Sequence, residues 1–166
     1  MRKMLKDAGA AGDIRVLLHN IRSAHNVGAI FRTADAIGIS HIYLSGYTPT
    51  PRDRFDRPVK EIAKTALGAE YTIPWTYIKE PKQIIALLKT ENFAVVGVEI
   101  DVRAIDYKTY VPGEKTLILV GNEVRGLSPV LRNASDVLVE IPMHGKKESP
   151  NVAVSFGVAL FRLFDR

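Results

Sequence analysis

Short apolar runs recur along this chain, separated by segments long enough to hold helices. Residues 14–18, 41–44, 93–98, 116–120 and 137–141 are dominated by Val, Ile and Leu. A strand that is apolar at consecutive positions, not at alternate ones, buries both of its faces. Such strands alternating with helices build a parallel sheet with helices packed on either side. The expected fold class is therefore α/β, a mostly parallel sheet flanked by helices on both faces.

The expected helices show themselves by their ends. Residues 27–37 follow Asn26, read as an N-cap, and stop at Gly38. Residues 59–67 stop at Gly68, and residues 81–89 open on Pro81 with Ile84, Ile85, Leu87 and Leu88 at amphipathic spacing. Ser128-Pro129 starts a short helix to about Asn133, because a proline at the first helical position gives up only an N–H with no partner there. Ser149-Pro150 repeats the device and opens a last helix over residues 150–164. That segment is apolar on almost every face, so it is expected to be buried on all sides, at the centre of the packing. Residues 71–73 read as a weak strand, 75–80 as irregular, and 46–58, with its prolines and arginines, as an exposed loop.

A chain of 166 residues suits one domain, expected over residues 13–166. Residues 1–12, with Arg2, Lys3 and Lys6 ahead of Gly9 and Gly12, are expected to form a basic flexible arm. The absence of cysteine excludes disulfides, thiolate zinc and thiol catalysis, and suits a reducing cytoplasm. No apolar run reaches the roughly 18 residues of a membrane span, and no apolar signal region follows the basic N-terminus. The net charge of +5 points to a polyanionic partner such as nucleic acid, and Arg52, Arg54, Arg57 and Lys60 cluster in one loop.

Three connections that follow strands are polar: residues 19–26, 121–128 and 142–150. In a parallel sheet all three emerge at the carboxyl edge, where α/β folds bind ligands. Two familiar chemistries do not fit them. Residues 121–128 imitate a phosphate-binding loop, but Leu127 stands where the lysine must be. His19, His25, His41 and His144 lack metal-ligand spacing, so no metal is expected.

The same connections carry a resemblance. Asn20-x5-Asn26-Val27-Gly28-Ala29-Ile30-Phe31-Arg32-Thr33-Ala34 is followed by Val120-Gly121-Asn122-Glu123-Val124-Arg125-Gly126-Leu127-Ser128. Ile141-Pro142-Met143-x-Gly145-x3-Ser149-x-Asn151-Val152 comes last. In order, these resemble the three motifs of the SpoU (TrmH-like) RNA ribose methyltransferases of the SPOUT superfamily, and Lys64-Thr65-Ala66-Leu67-Gly68-Ala69 resembles a further family element. The resemblance covers nearly the whole chain from Ile14. It implies a C-terminal deep trefoil knot, a homodimer, S-adenosylmethionine as cofactor, and methyl transfer to a ribose 2′-hydroxyl of tRNA or rRNA.

It also implies site residues. Gly97, Val98, Val120, Gly121, Asn122, Ile141, Met143, Ser149, Pro150 and Asn151 would hold the cofactor. Arg32 matches the family's catalytic arginine. Because a guanidinium stays protonated, its expected work is to bind the phosphate beside the target and stabilise the developing alkoxide. Asn26, Glu123, Ser149 and Asn151 complete the expected catalytic set, with capping as the alternative role for Asn26 and Ser149. Arg22, His25, Arg52, Arg54, Arg57 and Arg125 are the candidate RNA contacts. One departure stands out: the family commonly reads Ser-Leu-Asn-Val-Ser where this chain has Ser149-Pro150-Asn151-Val152-Ala153, and Pro150 has no N–H to donate. It favours a rival reading, a non-catalytic RNA-binding or ribosome-assembly protein on the same fold. A nucleotide hydrolase at the Gly121 loop is a third.

Overall fold

A computed structural model describes residues 12–164, so residues 1–11 of the expected basic arm lie outside the described residues. Seven strands form one sheet: β1 (Asp13–His19), β2 (His41–Ser45), β3 (Trp75–Ile78), β4 (Ala94–Val98), β5 (Ile105–Asp106), β6 (Lys115–Val120) and β7 (Val137–Glu140). Their order is β3-β2-β1-β6-β4-β7-β5, and every pairing is parallel. The chain moves from β1 out to one edge through β2 and β3, then fills the other side. The direction therefore switches beside β1 and β6, where an open α/β sheet leaves a crevice at its carboxyl edge.

The helices are α1 (Ala24–Ile37), α2 (Lys60–Ala66), α3 (Ala69–Thr72), α4 (Pro81–Thr90), α5 (Pro129–Ala134) and α6 (Val152–Phe164). Successive strand residues point to opposite faces, so each inner strand feeds two cores. Val16, Leu18, Ile118 and Val120 meet α1, α2 and α6 through Phe31, Ile62 and Phe156. Leu17, Leu117 and Leu119 meet α4 and α5 through Ile85, Leu88 and Leu131. This double burial is why the inner strands read as unbroken apolar runs. Gly28 lets α1 and α2 touch: a Cβ there would lie 2.1 Å from Thr65 Oγ1 and 2.3 Å from the Ile62 carbonyl oxygen.

Several expected elements differ. α1 begins three residues before Val27, with Ser23 as N-cap: its hydroxyl accepts from the Asn26 N–H at 3.2 Å, so Asn26 is inside the first turn and caps nothing. α6 begins at Val152, not at Pro150. The Asn151 side chain caps it, accepting from the N–H groups of Ala153 (2.9 Å) and Val154 (3.4 Å), and Ser149 stays in the loop. Nor is α6 buried on all sides. Val154, Val158 and Phe161 are 55%, 41% and 50% exposed and form one stripe at helical spacing, opposite the buried Phe156, Ala159, Leu160 and Leu163. Residues 71–73 are not a strand: Ala69 and Ile73, four apart and both buried, anchor α3. The segment expected to be irregular contains the edge strand β3. The sheet order is consistent with the knot implied by the resemblance.

Candidate active site

At the carboxyl edge Glu123 ties the connection after β6 to the start of α1. Its carboxylate accepts from the Arg22 N–H (3.1 and 2.9 Å), the Ser23 N–H (3.0 Å) and Asn26 Nδ2 (3.2 Å). These donors surround the positive end of the α1 dipole, so an anion is favoured there. Burial raises the Glu123 pKa, but the N–H groups of Arg22 and Ser23, its own N–H and the Asn26 amide outweigh that and hold it below the ordinary value. Asn26 continues the chain of contacts, because its Oδ1 accepts from Asn151 Nδ2 at 3.1 Å. Three expected catalytic residues, Asn26, Glu123 and Asn151, thus form one hydrogen-bonded line linking all three motifs.

Beside this line is a cavity of about 420 Å³ at the ends of β4, β6 and β7. Its walls combine Val98, Val120, Ile141 and Val152 with the polar residues Glu99, Asn122, Glu123 and Ser149, and Gly121, Arg125 and Pro150 also line it. An apolar slot with a few convergent polar groups, at this volume, is what a small organic ligand requires. Asn122 shapes the rim by accepting from the N–H groups of Val124 (2.9 Å) and Arg125 (2.8 Å).

Three expected cofactor residues are not on the cavity wall. Gly97 is inside β4, where a Cβ would lie 2.6 Å from Leu138 Cδ2 and 2.9 Å from Ser135 Oγ, so its small size serves packing. Met143 is exposed in the loop after β7. Asn151 stands between the wall residues Pro150 and Val152, with its side chain engaged by Asn26.

Arg32 is also separate. It is two turns along α1 from Ala24, exposed, and lines a groove with Ala29, Thr33, Lys64, Thr65 and Phe161. Its guanidinium makes no hydrogen bond or ion pair with another described residue. The helix rise of 1.5 Å per residue puts it about 9 Å along the axis from Asn26. Within one chain, then, this cation shares a groove with Phe161 of the α6 stripe and is not in the cavity.

Among the candidate RNA contacts, Arg22 and Arg125 share a second hollow at the same edge. His25 is exposed in the first turn of α1, where its carbonyl accepts from Thr65 Oγ1 at 2.9 Å. Arg52, Arg54 and Arg57 occupy a separate loop shaped by Asp53, which accepts from the N–H groups of Phe55 and Arg57 and pairs with the Arg57 guanidinium at 2.7 Å. Arg54 and Arg57 flank the exposed Phe55 ring at 4.7 and 4.9 Å, and Arg52 is 5.5 Å from the Tyr71 ring.

Sequence reasoning missed two residues of this edge. Glu99 lines the cavity and accepts from the Leu127 N–H, bracing the connection after β6. Tyr47 meets Asn122. Their signal was position alone, since both follow closely on strand carboxyl ends.

Residues 13–161 match the SpoU rRNA Methylase family. The chain belongs to that family. It is 30% identical over 146 residues to the 23S rRNA (guanosine-2′-O-)-methyltransferase RlmB of Salmonella typhi, covering 88% of this chain and 57% of the relative. The AdoMet-bound rRNA methyltransferase from Sinorhizobium meliloti superposes with a TM-score of 0.81 at 30% identity, over 92% of this chain and 56% of that one. The A. aeolicus TrmH/SpoU tRNA modifying enzyme superposes with a TM-score of 0.81 at 25% identity, over 93% and 75%. The chain spans little more than half the length of the RlmB relative it matches.

Proposed function

We propose that this SpoU-family chain transfers a methyl group from S-adenosylmethionine to a ribose 2′-hydroxyl of tRNA or rRNA. The observation that carries the reading is the union of the three motif loops, through Asn26, Glu123 and Asn151, beside a cavity of suitable size and polarity. Val98, Val120, Gly121, Asn122, Ile141, Ser149 and Pro150 would hold the cofactor, which supplies an electrophilic methyl on a sulfonium. Glu123 and Asn26 keep the walls in register, and Ser149 offers its hydroxyl at the rim.

The methyl acceptor needs a cation near its developing oxyanion, and Arg32 is the residue for it. Its separation from the cavity in one chain, together with the uncovered stripe of Val154, Val158 and Phe161, supports a homodimer in which each cavity is completed by the second copy's arginine. Covering an apolar stripe stabilises such an interface, and a twofold arrangement serves both sites at once. Arg22, Arg52, Arg54, Arg57 and Arg125 supply the RNA-facing charge, with His25 as a further contact, and the net charge of +5 supports a polyanionic RNA partner.

Incubation of a cellular RNA pool with labelled cofactor tests the reading. The expected product is a nuclease-resistant 2′-O-methylated dinucleotide, and Arg32→Ala should remove transfer while keeping cofactor binding in calorimetry. No label above background with a correctly folded protein refutes it. Pro150, a cavity-wall residue with no N–H, favours the non-catalytic RNA-binding alternative, which predicts no cofactor heat at all.

A further inference from the structure

Next to the proposed cofactor cavity is a second hollow to which methyl transfer gives no role. It measures about 550 Å³, is lined by Arg22, Tyr47, Asn122, Val124 and Arg125, and shares the last three with the cavity wall. Tyr47 is 57% exposed yet firmly held. Its hydroxyl oxygen accepts from Asn122 Nδ2 at 3.0 Å, and its backbone N–H donates to Asn20 Oδ1 at 3.3 Å. Asn20 is itself fixed: with Oδ1 so used, Nδ2 faces His19 Nε2 at 3.0 Å, and His19 Nδ1 meets Ser45 Oγ at 2.8 Å. Burial lowers the His19 pKa, the direction that suits a ring nitrogen accepting from the Asn20 amide. A large aromatic ring is therefore anchored at both ends while much of its surface stays in solvent. That arrangement contributes little to folding and suits stacking on a ligand.

The arginines add the second half of the argument. Arg15, Arg57, Arg103 and Arg132 each pair with an aspartate. The guanidiniums of Arg22 and Arg125 are exposed and make no hydrogen bond or ion pair with another described residue. Uncommitted guanidiniums and a fixed aromatic face around one hollow suit a nucleotide, whose phosphate takes the charge and whose base takes the ring. A paired base inside an A-form helix offers no free face, so the nucleotide must be unpaired.

We infer that this hollow receives an unpaired RNA nucleotide adjacent to the one methylated, with its base on Tyr47 and its phosphate between Arg22 and Arg125. The inference rests on the proposed RNA substrate. Asn122 links the two sites, since one amide holds Tyr47 and the rim of the cofactor cavity together.

The test measures binding of a fluorescent RNA stem-loop with an unpaired loop, and of the same strand annealed to its complement, across a salt series. Tyr47→Ala should weaken stem-loop binding roughly tenfold with the salt slope unchanged, because stacking is lost and no phosphate contact is. Tyr47→Phe keeps the ring and should bind within about threefold of wild type, since a stacked face does not need the hydroxyl. Arg22→Ala should lower the salt slope by about 0.7, the value for one phosphate on a single strand. The annealed duplex should show none of the Tyr47 effect. Stem-loop affinity unchanged in Tyr47→Ala, or an equal loss on the duplex, overturns the inference. Cofactor calorimetry on Arg22→Ala separates the two readings: heat retained with altered RNA binding supports this site, whereas no heat even in wild type sinks the methyltransferase reading alone.

Discussion

Replacing Glu123 by alanine probes the joint between two motifs separated by 101 positions in the chain. The substitution strips an acceptor from the Ser23 N–H and from Asn26 Nδ2, both part-buried, and from the Arg22 N–H, which is exposed and can turn to water. A hydrogen bond to a charged group contributes about 1.5–3 kcal/mol when sheltered. Half of that for each part-buried donor, with about 0.5 kcal/mol from the lost anion at the α1 N-terminus, gives a destabilisation of about 2–3.5 kcal/mol. For a domain of this size that lowers Tm by about 4–14 °C. The pH dependence follows from the depressed carboxyl. A group whose pKa falls on folding stabilises the fold above its unfolded value, and the stabilisation fades as pH drops through about 4.5 toward the folded value. Wild type should therefore lose more stability on acidification than Glu123→Gln, which carries no titrating group there. Differential scanning calorimetry across that window reads both effects. A Glu123→Ala protein melting within about 1 °C of wild type, far inside the shift expected for a domain this size, would refute the reasoning.

Gly28→Ala should destabilise by about 1–3 kcal/mol in urea unfolding, because the added Cβ meets Thr65 Oγ1 and the Ile62 carbonyl at the α1–α2 contact. At an open helix position the same change gains about 1 kcal/mol, so the sign alone tells packing from propensity. Phe156→Ala, at the fully buried centre of the α1–α6 face, should cost about 3–5 kcal/mol in the same assay. Val158→Asp, on the exposed stripe of α6, should leave a monomer in sedimentation with methyl transfer lost and unfolding cooperativity kept. A dimer that survives it would place the interface elsewhere.

What the sequence disclosed tracks how strongly each element is buried. β1, β4, β6 and β7 are covered on both faces, so their apolar runs were legible. β3 is an edge strand with no fully buried residue, and β5 is two residues inside a polar stretch, so neither carries a pattern to read. Helix starts failed for a related reason. Ser23 and Asn151 are the caps in use, but each has another polar residue nearby, Asn26 or Ser149, that satisfies the same rule. The motif spacing placed Asn26, Glu123 and Asn151 at one edge correctly, since loops at strand carboxyl ends cannot avoid each other in a parallel sheet. It could not place Arg32, whose direction depends on the turn of α1 and on what covers α6.

The position of β1 has a consequence for synthesis. One flank of β1 is filled by β2, which follows it closely, but the other waits for β6, aligned from Asp13 with Lys115. At about 5–20 residues per second, ribosomes need roughly 5–20 s to supply that second neighbour. In that interval the backbone N–H and C=O groups along one side of β1 have no ladder partner from β6. A message truncated before β6 yields charge without a working centre.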